Sequence, residues 1–343
     1  MNWRGKSGTV YHVRYREPFM KKAIQAAVNF FLRPLDLAVD RRDLQWERDV
    51  LAALYESLRT WTGNKTSSPV ACIVFSKDRA LQLHALLSSY FEKVSSPPPV
   101  HILYQTSTAA HQKAYEDVMA LLAGAQAVFV KQRSDRSFRE DVLELLRSRQ
   151  SEKVFFLMDD IVFTEDVDMD DFVKFSADEF IPTLRMGTNL SECFMLQKEQ
   201  PQPQFLPCLS AEPDKIVWRW DQGIYDWGYP LSLDGHLFST REITVMTHFI
   251  DFRAPNSYES NLQRFNGLFL PRSGVGYRKS KIVNIACNRV QTENDNICGD
   301  VHQDDLLEQW HKGFQMDYRR LYGFLNKSAH QDIAFDLVRR PGR

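Results

Sequence analysis

The chain lacks the features that would staple, anchor or charge it strongly. Its five cysteines, Cys72, Cys193, Cys208, Cys287 and Cys298, are scattered and form no CxxC pair. A zinc site or disulfide framework is therefore not expected, and a reducing cytosol fits best. No apolar run reaches the roughly 18–20 residues of a membrane span. The opening Met1-Asn2-Trp3-Arg4-Gly5-Lys6 leads into polar sequence without the apolar core of a signal peptide, so a cytoplasmic location is expected. Neither sign of charge dominates: Lys+Arg number 43 and Asp+Glu 44, a formal net charge of −1. Domains that track nucleic-acid phosphates are usually strongly basic, so no nucleic-acid partner is expected. There is no internal repeat and no long low-complexity tract.

What is present is ordinary for a globular protein: 343 residues, 43% hydrophobic and 25% charged. That length suggests about two domains and a core large enough to fold without metal or disulfide. Residues 1–68 read as a helical extension, broken at Pro34 and ending in the turn formers Gly63-Asn64-Lys65-Thr66-Ser67-Ser68. From residue 69 the pattern changes. Apolar runs at Val70–Phe75, Val100–Tyr104, Ala127–Val130 and Val154–Met158 alternate with helical patterns at Leu81–Phe91 and over about 109–123 and 137–149. This predicts an α/β domain, a mostly parallel, Rossmann-like sheet flanked by helices. Such sheets bind ligands beyond the carboxyl ends of their strands. The expected divisions are 1–68, a ligand-binding half at 69–180, and an irregular to helical half at 181–343.

The fourth strand ends unusually. In Phe155-Phe156-Leu157-Met158-Asp159-Asp160-Ile161-Val162-Phe163, two adjacent carboxylates interrupt an apolar run. Two like charges ~4 Å apart repel by about 4 kcal/mol at an effective dielectric near 20, so a cation or water must compensate. Neighbouring strand residues face opposite ways, and the two acids are therefore not equivalent. Mg²⁺ typically takes one or two carboxylates and completes its shell with phosphate and water. The bland alternative is a solvated strand end.

With these motifs the chain resembles the nucleotide-sugar-dependent glycosyltransferases of the GT-A fold, particularly those related to family 2. Their fourth strand ends in an apolar-Asp-Asp or Asp-x-Asp motif, as Phe156-Leu157-Met158-Asp159-Asp160 does. Their first strand runs into a short polar turn and a helix, as Phe75-Ser76-Lys77-Asp78-Arg79-Ala80-Leu81 does. The resemblance covers roughly residues 70–265, and the three-acid version of the motif is reduced, with Met158 and Ile161 flanking the pair. It implies transfer of a sugar from a nucleoside diphosphate, a UDP-sugar favoured, to a hydroxyl of a glycan or lipid-linked acceptor, as in polysaccharide biosynthesis. It also implies a Mn²⁺ or Mg²⁺ cofactor on Asp160, with Asp159 serving the metal or the ribose. Phe75, Ser76, Lys77, Arg79 and Arg136 would line the nucleotide-sugar site, with Lys131 and Arg133 as further cations after the third strand.

On the acceptor side, Asp234-Gly235-His236 between apolar residues predicts a tight turn. Asp234 is the first candidate for general base and Glu259 the second, since a partly buried carboxylate is tuned towards the working pH. His236 is a candidate acceptor contact or metal ligand, with His302 and His330 as weaker ones. Trp218, Trp220, Trp227 and Tyr229, with Tyr225 among them, are candidates for stacking on sugar rings, the alternative being core packing. Lys21, Lys22 and Arg33 around Phe30, Phe31 and Leu32 suit a peripheral membrane contact or packing within the protein. Two other functions stay open. A nucleotidyltransferase would usually carry a glycine-rich loop after its first strand, which Phe75–Arg79 lacks, and a non-catalytic carbohydrate-binding protein would keep the fold alone.

Overall fold

The computed structural model describes residues 44–60, 69–149, 151–207, 212–288 and 301–341. The expected membrane-facing residues Lys21, Lys22, Phe30, Phe31, Leu32 and Arg33 lie outside the described residues, as do Cys208 and Cys298. The chain divides into two compact units, Met1–Ala53 and Leu54–Arg343. Helix α1 (Leu44–Thr60) begins in the first. Among the described residues, no helix is long and apolar enough to cross a membrane.

The second unit is built on the alternation expected from the apolar runs. In order come β1 (Val70–Lys77), α2 (Ala80–Lys93), β2 (Val100–Gln105), α3 (Ala109–Leu121), β3 (Ala127–Lys131), α4 (Phe138–Arg149) and β4 (Lys153–Met158). β1 is buried from Val70 to Ser76, as a strand covered on both faces should be. Further on, β5 (Ile161–Phe163), β6 (Phe180–Gly187), β7 (Lys215–Arg219) and β8 (Leu237–Ser239) precede α5 (Thr240–His248) and α6 (Pro255–Leu262). Then come β9 (Ser273–Tyr277), β10 (Ile282–Ile285), α7 (Gln303–His311), β11 (Phe314–Met316) and β12 (His330–Gln331).

The central sheet has five strands in the order β8-β4-β1-β2-β3. β4, β1, β2 and β3 run parallel, and β8 closes one edge antiparallel to β4. The chain leaves β1 towards β2 and β3, then returns to place β4 on the other side of β1. The carboxyl ends of β1 and β4 therefore flank the topological switch point, where doubly wound sheets open a crevice.

Two smaller sheets, β7-β9-β6 and β12-β10-β5, build the opposite wall. Their register matters for the site. Asn284 on β10 pairs with Ile161 on β5 and with His330 on β12, which brings the C-terminal segment beside the end of β4. The region after residue 304 is less helical than the sequence suggests. α7 ends at His311, and Gly313 and Gly323, both with positive φ, release the chain into short strands and turns.

Phe156 ties the parallel sheet to the rest. Its ring stacks on Phe75 at 5.8 Å and meets Tyr258 of α6 edge-on at 6.0 Å. It also lies 6.5 Å from Phe238 of β8, so one fully buried side chain joins β1, β4, β8 and α6. Phe156→Ala is expected to destabilise the protein by about 3–5 kcal/mol through the cavity it leaves. Urea unfolding checks this as a lowered midpoint with an unchanged slope.

Candidate active site

The turn after β1 sets the first half of the site. Asp78 has φ of +55°, a conformation tolerated best by glycine, Asn and Asp. Its carboxylate accepts from Ser107 N at 2.7 Å and Ser107 Oγ at 2.6 Å, which holds the turn against the end of β2. The next residue, Arg79, stands at the start of α2 and reaches back over the sheet. Its Nη1 donates to Asp159 Oδ1 at 3.0 Å and to Asp160 Oδ2 at 2.9 Å, and its Nη2 donates to Asn288 O at 2.5 Å. Asp159 is further held by Ser76 Oγ at 2.8 Å and Lys77 N at 3.2 Å, both on Oδ2. The compensation that the acid pair demands thus comes from inside the chain.

The compensation is incomplete, because two buried carboxylates face one guanidinium. Burial lowers the pKa of Arg79, and Asp159 and Asp160 more than restore it, leaving it raised. Burial pushes Asp160 up to about 6 against the pull of Arg79, with Asp159 and Asp234 adding to the rise. Because folding favours its protonated form, Asp160 detracts from stability as pH climbs from its ordinary 3.8 towards about 6. Asp160 Oδ1 is buried without a hydrogen-bond partner. An orphaned anionic oxygen of this kind fits a divalent cation. Among the described residues, no three His, Cys, Asp or Glu side chains converge as a ready-made metal site. A cation bound at Asp160 must draw its other ligands from substrate and water, as Mg²⁺ commonly does.

The second half of the site comes from the turn before β8. Gly235 has φ of +73°, and a Cβ there would lie 2.7 Å from Ile282 Cδ1, so glycine is required. Gly235 N donates to Phe156 O at 2.8 Å, which fixes the turn beside the end of β4. Asp234 and His236 then diverge. Asp234 enters the site, where His330 Nε2 lies 3.0 Å from Oδ2, Asn284 Nδ2 3.5 Å and Arg185 Nη1 3.9 Å. His236 turns into the core, with Nδ1 at 2.9 Å from Pro230 O, and burial holds its pKa down to about 3.

Beneath Asp234 lies a buried polar network. Arg185 Nη1 donates to Ser232 Oγ at 2.6 Å and its Nη2 to Asp226 Oδ1 at 2.6 Å. Glu259 Oε2 accepts from Leu233 N at 2.6 Å and Ser232 Oγ at 3.3 Å. Burial, then the charge of Asp234, raises the pKa of Glu259. Burial also acts to raise Asp234, but the hydrogen bond and charge of His330 outweigh it and the result is lowered. Burial acts to lower His330, and its bond to Asp234 outweighs that, so His330 is raised. The two acids across the site are thus pushed apart in basicity.

Both halves open into one cleft of about 740 Å³. Of the residues singled out in the sequence, Phe75, Ser76, Lys77, Arg79, Asp159, Asp160, Tyr229, Asp234 and Glu259 line it, together with Tyr225 and His330. The others do not. Trp218, Trp220 and Trp227 are fully buried, and the Trp218 indole packs directly over Gly274, where any Cβ would collide. They form the core of one wall rather than a stacking surface; Tyr225 and Tyr229 are the aromatics that reach the cleft. His236 is core for the same reason. Arg136 is paired with Glu144, Arg133 with Asp135, and Lys131 with Gln112, all outside the cleft. His302 caps α7, with Nδ1 accepting from Asp304 N at 3.2 Å.

Several cleft residues escaped the sequence reading: Arg185, Asp226, Arg253, Asn284, Asn288, Gln105 and Gln132. Arg185 carried a signal, a lone cation within the apolar run Ile181-Pro182-Thr183-Leu184-Arg185-Met186. Asn284 is brought in by strand register and had none; His330, named from the sequence only as a weaker metal-ligand candidate, enters beside Asp234 through the same register.

No family model and no curated protein matches the chain. Among solved structures it is similar to a mannosyltransferase, PcManGT from Pyrobaculum calidifontis, in complex with GDP-Man and Mn²⁺. That match is 13% identical, covers 40% of this chain and 44% of the other, and has a TM-score of 0.27. The bifunctional glycosyltransferase WbbM is 11% identical over 61% of this chain and 38% of its own, with a TM-score of 0.32. The 4-diphosphocytidyl-2C-methyl-D-erythritol synthase from Anaerococcus prevotii is 10% identical over 71% and 96%, with a TM-score of 0.37. The chain thus spans less than half the length of the first two. Function rests on the geometry of the cleft itself.

The His330–Asp234 pair has a direct signature. The raised pKa of His330 contributes stability below its ordinary pKa that is lost as pH rises through the folded value, and the lowered pKa of Asp234 contributes stability that is lost as pH falls. In Asp234→Asn, burial and Arg185 act on His330 with that opposition removed, so its pKa is expected to fall below 6.5. An NMR titration of the imidazole checks this.

Proposed function

We propose that the protein is a glycosyltransferase that moves a sugar from a nucleoside diphosphate to an acceptor hydroxyl. The observation that carries this is the Asp159–Arg79–Asp160 cluster at the switch point, facing a second pair of carboxylates, Asp234 and Glu259, across one cleft. One side suits a diphosphate and the other suits deprotonation of a hydroxyl. Residues 69–180 supply most of the donor side, joined there by Arg253 and Asn288, and 181–343 supply the acceptor side.

On the donor side, Arg79 can meet the diphosphate with a planar fork of donors. The Lys77 and Arg253 side chains also line the cleft. Bound at Asp160, with Asp159 beside it, Mn²⁺ or Mg²⁺ supplies charge neutralisation for the departing diphosphate. Gln105 and Gln132, at the ends of β2 and β3, line the same cleft. Each carboxamide offers donor and acceptor groups suited to the edge of a nucleotide base, and a UDP-sugar is the donor we assign.

On the acceptor side we assign the base to Glu259 and a positioning role to Asp234. A carboxylate works best as base when its pKa is raised towards the operating pH. Glu259 meets that condition, whereas Asp234 is lowered by His330. The acceptor O–H gives its proton to Glu259 as its oxygen forms a bond to the anomeric carbon. The bond from that carbon to the diphosphate oxygen breaks, and the electron pair leaves with the diphosphate. Tyr225 and Tyr229 give the acceptor flat faces with polar tips. A nucleotidyltransferase fits less well, because the turn Ser76-Lys77-Asp78-Arg79 that would wrap phosphates holds no glycine. The acceptor is a glycan or lipid-linked glycan.

Nucleoside diphosphates, UDP foremost, are expected to raise the melting temperature in the presence of Mn²⁺ or Mg²⁺. A thermal-shift panel in which no nucleotide stabilises the protein would remove the proposal. Glu259→Gln is expected to slow transfer by about 10²–10⁴-fold while donor affinity stays unchanged. Transfer kinetics alongside calorimetric donor binding separates the two effects.

A further inference from the structure

Nη1 of Arg79 lies 3.0 Å from Asp159 and 2.9 Å from Asp160, so a single nitrogen bridges both carboxylates. The three side chains are nearly buried, at 10%, 5% and 13% exposure. Water therefore does little of the neutralising. The guanidinium is also anchored from behind, by Asn288 O on Nη2, and Asn288 is itself held by Gln82 Nε2 at 3.2 Å on its Oδ1. A divalent cation on the same pair would sit against a fixed positive charge, and the two would repel strongly in so dry a site. Yet Asp160 keeps one buried oxygen, Oδ1, with no partner.

We propose that Arg79 is the resident counter-ion of the Asp159–Asp160 pair and competes with a divalent metal for it, so that metal and nucleoside diphosphate bind weakly apart and tightly together. The inference rests on the donor reading above for the identity of the anion. A diphosphate offers Arg79 anionic oxygens that replace the carboxylates it gives up. Asp160 is then released to the metal, and the metal's charge is met by the same diphosphate. Neither ligand alone completes this exchange: metal without anion meets Arg79, and anion without metal leaves the two acids uncompensated. Coupling of binding is reciprocal, so each ligand must improve the other's affinity by the same factor. The chain thereby avoids holding the metal tightly in the absence of donor.

The test is Mn²⁺ binding to the full-length protein, followed by the EPR signal of the free ion, without nucleotide and with UDP. Wild type is expected to bind Mn²⁺ only weakly alone. Arg79→Gln is expected to bind it at least about tenfold tighter without nucleotide, and Arg79→Lys is expected to fall between. Adding Asp160→Asn to the Arg79→Gln background is expected to abolish that gain. Unchanged or weaker Mn²⁺ binding by Arg79→Gln overturns the proposal, as does a gain that survives loss of Asp160. If Arg79→Gln melts early because its acids are left unpaired, Mn²⁺ alone must restore its melting temperature while barely moving that of wild type. Failure of that rescue counts equally against the idea. If UDP binds nowhere, the donor reading fails, and the nucleotide-free comparison of wild type with Arg79→Gln still decides whether Arg79 and metal compete.

Discussion

A pair of like charges at the mouth of a buried sheet is the constraint around which this molecule is arranged. β4 delivers Asp159 and Asp160 to the switch point, and Arg79 reaches over from the start of α2 to bridge them. Removing one partner of such a buried set typically costs about 3–5 kcal/mol, because the charge left behind has no water to turn to. The surrounding details serve this cluster. Asp78 fixes the turn that aims Arg79, Ser76 and Lys77 hold Asp159 from below, and Asn288 holds the far end of the guanidinium. Two acids against one base still leave a deficit of positive charge, and burial, with the charge of Asp159 adding to it, leaves the pKa of Asp160 raised against the pull of Arg79.

The same deficit organises the far side of the cleft. Asp234 and Glu259 are near enough to raise Glu259 through the charge of Asp234, and the buried Arg185 and His330 relieve them unequally. His330 commits itself to Asp234. Two chemically similar acids in one pocket therefore acquire different basicities, an arrangement common where one must take a proton and another must stay ionised. The geometry depends on strand register, since Asn284 and His330 enter the cleft only because β10 lies between β5 and β12.

Much of the frame was legible in the sequence. The apolar runs that became β1, β2 and β4 are continuous because these strands are covered on both faces, whereas β3 at the sheet edge is only partly covered; two charges breaking such a run stand out. Asp234 stood out because Asp234-Gly235-His236 between apolar residues reads as a tight turn, and Glu259 was named as the second candidate base. The tryptophans misled. Trp218, Trp220 and Trp227 are interleaved with polar residues in sequence, but their rings meet one another at 4.8 Å and fill the core. Composition cannot distinguish an aromatic wall from an aromatic core; that depends on Gly274 and Gly276 opening space opposite Trp218. His330 was too distant in sequence from Asp234 for local pattern to link them, and Arg185 was passed over although it interrupts an apolar run much as Asp159 and Asp160 do.

The central claim is that the Asp159–Arg79–Asp160 cluster receives the diphosphate of a sugar donor. A crystal structure of the protein grown with UDP and Mn²⁺ tests it most directly. The account predicts diphosphate oxygens within hydrogen-bond distance of the Arg79 guanidinium and the ion bound to Asp160, at the carboxyl ends of β1 and β4. A nucleotide bound elsewhere in the molecule, with Arg79 still bridging both acids, would contradict it.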